Sequence, residues 1–250
     1  MKREIKEYSQ KLNLPVIADR WSALAEQASK DNVPYSQFLF SLLELEITEK
    51  QERIKSTLLK FARFPYRKTI NQFDFTVQLD LDERRIRELM NLSFLDNKEN
   101  LIFLGPPGIG KTHLAVAIGM EAITKGMKTY FITMSELVSQ LRKAEQQGNL
   151  EKKIGSFIKP SVLIIDEIGY LNLDTQSAHY LFQVISRRYE RGSIILTSNK
   201  GFGEWGEMVG DPIIATAMLD RLLHHSRIFN LKGDSYRLKE KHLSTQKQKD

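Results

Sequence analysis

The chain has 250 residues, of which 41% are apolar and 27% are charged, and it contains no cysteine. This composition is ordinary for a globular protein and excludes a disulfide framework, and the length allows one large or two modest domains. The formal net charge of +6 suggests an anionic partner. No apolar run approaches the roughly 18 residues of a membrane span, and no signal peptide is visible, so we expect a cytoplasmic protein without membrane contact.

The first part of the chain, residues 1 to about 68, carries helix formers and no strand signal, which predicts an N-terminal helical domain. Within it, residues 50–68 contain seven basic residues against Glu52 alone, and aromatic residues lie between them. This pattern indicates either a DNA contact or a solvated helix face whose aromatic residues turn into a core. The candidate DNA contacts are Arg53, Lys60, Arg63, Arg67 and Lys68.

Residues 69–75 resemble a linker into a second domain, residues 69–250, in which apolar strand patterns alternate with helical ones. This alternation predicts an α/β fold with a parallel sheet that is covered by helices on both faces. After a helix over about 76–95, the expected strands are 101–104, 129–133, 162–166, 193–197 and 228–231. The expected helices between them are 112–125, 134–145, 150–158, 175–190 and 213–225.

A phosphate-binding loop follows the first of these strands. Residues 105–112 read Gly-Pro-Pro-Gly-Ile-Gly-Lys-Thr and match the pattern G-x-x-x-x-G-K-[ST] at every fixed position. Glycines let backbone N–H groups close around a polyphosphate, Lys111 places a charge on the β- and γ-phosphates, and Thr112 can bind a magnesium ion. The candidate nucleotide-binding residues are Gly105, Pro106, Pro107, Gly108, Ile109, Gly110, Lys111, Thr112 and His113.

Polar residues follow two further strands. The apolar run 162–165 ends in Asp166 and Glu167. We expect Asp166 to hold Mg²⁺ with Thr112, and Glu167 to orient the attacking water or to accept its proton. Asn199 follows the next strand and is either a contact to the γ-phosphate or the water, or a strand-end cap. Because a strand lies between the phosphate-loop strand and the Asp166 strand, we expect ATP hydrolysis that drives a conformational change.

These motifs, followed by Leu-Asp-Arg-Leu at 219–222, resemble the AAA+ ATPases of the initiator and helicase-loader branch. Within this branch the chain resembles the IstB-type transposition helpers, chiefly at residues 64–70, 73–75, 217–225 and 233–238. The resemblance covers nearly the whole chain and implies a P-loop AAA+ fold. Since only 25 residues follow His225, the C-terminal helical lid of typical AAA+ modules is expected to be short or absent, and Arg237 is the one candidate for its sensor arginine.

The resemblance also implies roles for individual residues. Arg221 matches an arginine finger, which stabilises the γ-phosphate charge in a neighbouring subunit, and its alternative is a paired surface arginine. Phe73 matches an aromatic residue near the adenine, with ordinary core packing as the alternative. Residues 134–158 match an extra helical element that contacts DNA or, alternatively, forms a solvated face. Its basic residues are Arg142, Lys143, Lys152 and Lys153.

The function implied is a DNA-dependent ATPase that self-assembles with composite ATP sites, binds duplex DNA largely without sequence preference, and assists a transposase by preparing the target site or recruiting the transposase. A replicative helicase loader of the DnaC type is the alternative. A nucleotide-gated scaffold is disfavoured by the second carboxylate, Glu167, and a small-molecule kinase by the basic helical segment. His224 and His225 lack metal-ligand spacing and are interpreted as cap or interface residues.

Overall fold

The computed structural model describes residues 1–77, 81–233 and 236. Its centre is a five-stranded parallel sheet in the order β2-β3-β4-β1-β5. The strands are β1 (Asn100–Leu104), β2 (Thr129–Thr133), β3 (Val162–Ile168), β4 (Ser193–Ser198) and β5 (Ser226–Asn230). The predicted α/β class with a parallel sheet is therefore confirmed, and the carboxyl ends of β1, β3 and β4 meet at one edge.

Helices cover both faces of the sheet, and alternate residues of β1, β2, β3 and β4 pack into two separate cores. In β1, Ile102 and Leu104 pack into one core, while Leu101 and Phe103 pack into the other. Strands that are buried on both faces are nearly continuous apolar runs, as β1 to β4 largely are, whereas the edge strand β5 has one buried residue, Phe229. The helices are α1 (Lys2–Lys11), α2 (Pro15–Lys30), α3 (Tyr35–Ala62), α4 (Glu83–Glu88), α5 (Ser93–Asp96), α6 (Lys111–Thr124), α7 (Met134–Gln146), α8 (Leu150–Ile158), α9 (Thr175–Arg188), α10 (Trp205–Val209) and α11 (Pro212–Leu223).

The chain divides into two compact units, Met1–Thr57 and Leu58–Asp250. In the first unit, the buried carboxylate of Glu46 accepts hydrogen bonds from the backbone N–H groups of Val16 and Ile17, at 2.8 and 2.9 Å. It therefore caps the first turn of α2, whose amides have no partner within the helix. The division lies inside α3, whereas the domain boundary expected at residue 68 stays a prediction.

Aromatic residues of the basic stretch 50–68 pack inside the second unit. The ring of Phe61 lies 5.4 Å from that of Tyr130, and the ring of Phe64 lies 6.5 Å from that of Phe131. A Cβ atom on Gly119 of α6 would lie 2.9 Å from Phe64, so this glycine lets the helix approach the ring. Both aromatic side chains are partly buried and pack against the cores of this unit, while the choice between a DNA contact and a solvated face for the basic residues stays a prediction.

The single helix expected over 76–95 is wrong. The described part of this segment consists of α4, a 3-10 turn at 89–91 and α5. The Asp82 carboxylate accepts from the N–H groups of Arg84 and Arg85, which begins α4. Leu92 has a φ of 66°, in the left-handed region, and this ends the helical path before α5.

A buried arginine, Arg188 at the end of α9, joins three segments of the second unit. Its guanidinium donates to the carbonyl groups of Phe157 and Pro160, each at 2.9 Å, and to that of Ser193 at 2.7 Å. The side chain is 1% exposed, and burial lowers its pKa to about 10. The charge is therefore held by backbone dipoles that would otherwise lack a partner.

We expect Arg188→Met to lower the free energy of unfolding by about 3 kcal/mol, because the substitution leaves several buried carbonyl groups unpaired. Urea unfolding measures the change. The matched control is Arg187→Met, which removes only an exposed ion pair with Glu151 and should change stability far less. Equal losses in both variants would contradict the structural role of Arg188.

Candidate nucleotide site

The phosphate-loop sequence lies between β1 and α6, at the carboxyl edge of the sheet. Gly105 has a φ of 147°, and a Cβ atom there would lie 2.3 Å from the carbonyl oxygen of Leu231. At Gly110, with a φ of 103°, it would lie 2.7 Å from the Phe73 ring. These two positions therefore admit glycine alone, and they let the loop close against Leu231 and Phe73.

The loop is suited to an anion. The ammonium of Lys111 donates to the carbonyl groups of Gly105 and Pro106, at 2.6 and 2.7 Å, and the residue is 8% exposed. Lys111 is also the first residue of α6, so the unpaired amides and the positive dipole end of this helix lie beside the charge. Both features stabilise a phosphate group.

A buried carboxylate lies next to the loop. Asp166, which is 3% exposed, accepts hydrogen bonds from the hydroxyl groups of Thr112, at 3.0 Å, and of Thr197, at 2.5 Å. Burial raises the pKa of Asp166, while the Thr197 and Thr112 hydroxyls and the charge of Lys111 oppose this rise. A hydroxyl and a carboxylate at this distance form an oxygen donor set of the kind that Mg²⁺ prefers.

The adjacent carboxylate of Glu167 has a different environment. Its residue has a φ of 63°, and the register between β3 and β4 shifts between Ile165 and Ile168. This β-bulge makes Glu167 exposed while Asp166 is buried. A left-handed conformation at a residue other than glycine is uncommon and occurs often at functional sites. The bulge thus separates two neighbouring carboxylates into one that is buried and one that is accessible.

Thr197 connects these two carboxylate residues, and the sequence analysis missed it. Its hydroxyl donates to Asp166 and accepts from the backbone N–H of Glu167 at 3.0 Å. The sequence feature that could have identified Thr197 is its position near the end of β4, two residues before Asn199. There its polar side chain follows the apolar residues of a buried strand.

Asn199 also faces the site. Its side-chain oxygen is buried and has no hydrogen-bond partner among the described residues. A Cβ atom on Gly169 would lie 2.2 Å from this oxygen, so the glycine makes room for the amide. A buried polar atom without a protein partner is expected to bind a ligand or water.

Most of these residues line one cavity of about 390 Å³, within the range of small-molecule sites. The predicted residues Gly105, Pro106 and Asp166 are not among its lining residues. Its polar part contains Lys111, Thr112, Glu167, Thr197 and Asn199. The predicted residues Phe73, Pro107, Gly108, Ile109, Gly110 and His113 also line the cavity. Further lining residues that the sequence analysis did not predict for this site are Tyr66, Gln72, Asp74, Tyr170 and Tyr236.

The aromatic side of the cavity is built around Phe73, which is 9% exposed. Its ring lies 5.2 Å from that of His113 and 4.8 Å from that of Phe75. The Nε2 atom of His113 donates to the carbonyl oxygen of Thr69 at 2.9 Å, and burial lowers the pKa of the imidazole. An uncharged aromatic wall of this kind suits a nucleobase.

Arg221 lies away from the cavity of its own chain. It is on α11, which ends just before β5 begins, and so it lies towards the amino edge of the sheet. Its guanidinium donates to the carbonyl oxygen of Ala217 at 3.0 Å and lies 4.8 Å from the Phe182 ring. Arg237, the candidate sensor, and any C-terminal lid lie outside the described residues.

The basic residues predicted to contact DNA fall into two groups. All nine are exposed except Lys153, which is half-buried. Lys60, Arg67, Lys143 and Lys152 form no ion pair or ring contact with the described residues, whereas the remaining five contact other side chains. Arg53 pairs with Glu46, Arg63 lies over Tyr130, Lys68 lies over Tyr66 and lines the nucleotide cavity, Arg142 pairs with Asp174, and Lys153 lies over Phe157. DNA contact by any of them stays a prediction.

No helix in the described ranges is long and apolar enough to cross a membrane. With the fold and the cavity defined, similarity to known proteins decides the family. A model described as "IstB-like ATP binding protein" matches residues 8–244. The chain belongs to this family.

Two curated relatives are insertion-sequence proteins. The chain is 69% identical to the IS5376 putative ATP-binding protein of Geobacillus stearothermophilus over the full length of both chains. It is 49% identical to the IS21 putative ATP-binding protein of Pseudomonas aeruginosa, over 88% of this chain and 83% of that protein. A crystal structure of the DnaC helicase loader is similar with a TM-score of 0.52 and 20% identity, over 70% of this chain and 99% of that one, which supports the fold. The chain is therefore an ATP-binding AAA+ ATPase with a P-loop.

We expect Thr197→Val to reduce the turnover number for ATP by about ten- to a hundredfold, because residues that orient metal ligands contribute at this level. Nucleotide affinity should change little, since the Thr197 hydroxyl bonds to the Asp166 carboxylate and to the backbone N–H of Glu167 and not to the phosphate loop. Phosphate release and equilibrium nucleotide binding separate the two effects. Thr197→Ser keeps the hydroxyl and is the matched control, and a wild-type rate for the valine variant would contradict the positioning role.

Proposed function

We propose that this protein hydrolyses ATP at the cavity beside the phosphate loop and uses the cycle to assist a transposase on DNA. The observation that carries the hydrolytic part is the pair Asp166 and Glu167, one buried and one exposed, next to Lys111 and Thr112. Neighbouring carboxylates in different environments can take different roles.

In this proposal Asp166 and Thr112 would hold Mg²⁺, and the ion would supply positive charge for the phosphate groups. The contact between Thr112 and Asp166 supports the fit of Mg²⁺ to these two residues. The raised pKa of the buried Asp166 carboxyl group supports it too, because a cation would stabilise the ionised form. Lys111 binds the phosphates, Glu167 orients or deprotonates the water, and Asn199 contacts the γ-phosphate or the water.

Arg221 is proposed to complete the site of a neighbouring subunit in a homo-oligomer. Its position near the amino edge of the sheet, while the cavity lies at the carboxyl edge, makes a role in its own cavity hard to reconcile with the geometry. An arginine supplied by another subunit would stabilise transition-state charge and would make ATP bridge two protomers.

DNA binding is proposed through phosphate contacts. The exposed residues Lys60, Arg67, Lys143 and Lys152 offer charge without a set of side chains arranged to read base edges. An oligomer would present many copies of this weak surface, so its avidity for DNA would exceed that of one subunit.

The transposase is the proposed client because two curated relatives, at 69% and 49% identity, are insertion-sequence proteins. The likeness to the helicase loader is below 25% identity and supports only a shared fold. A DnaC-type loader therefore remains an alternative without a specific observation in its favour.

Two variants distinguish the proposed roles of Lys111 and Glu167 in ATP hydrolysis. Lys111→Ala should weaken nucleotide binding, because the ammonium acts on the bound phosphates, whereas Glu167→Gln should bind ATP and not turn it over. Equilibrium binding and phosphate release are measured on both proteins. Hydrolysis at the wild-type rate by Glu167→Gln would show that another group acts on the water.

The role of Arg221 across an interface is tested by mixing subunits. Arg221→Ala and Lys111→Ala proteins should each be inactive, and a mixture should regain ATP hydrolysis because some sites combine an intact half from each variant. Size measurement must show that mixed oligomers form. Absence of recovery at every mixing ratio would then count against the composite site.

Removing exposed charge should weaken DNA binding equally for unrelated sequences. Each lost phosphate contact is expected to make the slope of log affinity against log salt shallower by about 0.9 for duplex DNA. A control protein that loses four lysines elsewhere has the same net charge as the test variant and should keep the slope of the wild type. The test variant neutralises Lys60, Arg67, Lys143 and Lys152, and the control neutralises Lys2, Lys6, Lys11 and Lys30.

A further inference from the structure

A cluster of side chains that can ligate a metal lies at the amino edge of the sheet. Glu190, His224 and His225 each offer one ligand atom, and these three atoms lie within 4.8 Å of one another. His225 Nε2 is 3.8 Å from a carboxylate oxygen of Glu190, and the two imidazole rings have centroids 4.1 Å apart. We propose that these residues bind a divalent transition-metal ion of the Zn²⁺ class.

The donor set selects the kind of metal. Two imidazoles and one carboxylate are ligands that Zn²⁺ accepts in sites with three protein ligands and one open position. Mg²⁺ prefers oxygen ligands, so this cluster differs in chemistry from the Thr112–Asp166 pair. All three side chains are exposed, so their rotamers can change. Small rotations would place each of the three ligand atoms at roughly 2 Å from a zinc ion that lies between them.

A neighbouring side chain orients one of the ligands. The hydroxyl oxygen of Tyr189 lies 2.7 Å from Nδ1 of His224. When Nδ1–H donates to this oxygen, the lone pair of Nε2 is available to a metal. Histidines that bind metals commonly have their second nitrogen held in this way, which fixes the tautomer and the ring orientation.

The backbone that carries the cluster is fixed on both sides. Asn100, the first residue of β1, donates its N–H to the carbonyl of His225 at 2.7 Å and its side-chain amide to Leu222 at 3.0 Å. On the other side, Glu190 has a φ of 57°, and the following Gly192 donates to the carbonyl of Arg188 at 3.1 Å. Sites that bind tightly need such rigid support for their ligands.

The cluster is separate from the nucleotide cavity, because β1 starts beside His225 and runs about 16 Å to the phosphate loop. It is close to Arg221, which lines the same shallow cavity as Glu190 and His225. A bound metal would link the end of α11 to the turn between α9 and β4, and so fix the helix that carries Arg221. The metal site itself does not depend on the proposed role of Arg221.

Calorimetric titration of Zn²⁺ into the untagged, chelator-treated full chain tests the site without nucleotide. We expect one ion per chain at this site, and an affinity that is weaker by at least about tenfold in Glu190→Gln, His224→Ala and His225→Ala. His179→Ala, which removes an exposed histidine of α9, is the matched control and should bind as the wild type does. No binding by the wild type, or binding that the three variants leave unchanged, would overturn the proposal.

Two further measurements guard against misfolded variants. Each variant should bind a non-hydrolysable ATP analogue with wild-type affinity, because the phosphate loop lies at the other edge of the sheet. X-ray absorption by the zinc-loaded wild-type protein needs no variant. The spectrum should show two imidazole ligands on the zinc ion. A spectrum without two imidazole ligands would overturn the assignment of this site even if zinc binds to the protein.

Discussion

The buried carboxylate of Asp166 is the group on which the arrangement of the nucleotide site depends. It accepts hydrogen bonds from Thr112 at the start of α6 and from Thr197 on β4, so it joins three elements that are distant in sequence. Burial of a carboxylate is unfavourable unless partners or a cation compensate it, and here the two hydroxyls and Lys111 do so in part. The same hydrogen bonds that stabilise the buried charge therefore also hold the candidate metal ligands together.

The bulge in β3 gives this buried group an exposed neighbour. In a regular strand, successive side chains point to opposite faces, so Glu167 would point away from the face on which Asp166 bonds to Thr112. In this structure Glu167 lines the cavity, and the buried Asp166 contacts two of its lining residues, Thr112 and Thr197. The left-handed backbone at Glu167, held by its N–H bond to Thr197, changes the direction of the chain at this point. The left-handed backbone at this single residue thus places an exposed carboxylate next to a buried one.

The two edges of the sheet carry different chemistry. The carboxyl edge holds the phosphate loop, the two carboxylates and Asn199, while the amino edge holds the Glu190, His224 and His225 cluster beside Arg221. The parallel direction of every strand pairing produces this separation, since all strands then begin at one edge and end at the other.

The sequence by itself determined the α/β class, the five strands, the five longer helices from residue 100 onward and the phosphate loop, because local periodicity and a contiguous motif carry these features. It also determined the family, but it did not predict the short helix α10. It did not determine the roles of Thr197 and Gly169, the bulge at Glu167 or the break at Leu92, because these arise from contacts between strands and from backbone angles. Nor did it bring Glu190 to His224 and His225, since these residues lie far apart in sequence and meet only where β4 and β5 begin on either side of β1. The tertiary structure alone decided these features, because proximity at a sheet edge follows from strand order, which no local pattern encodes.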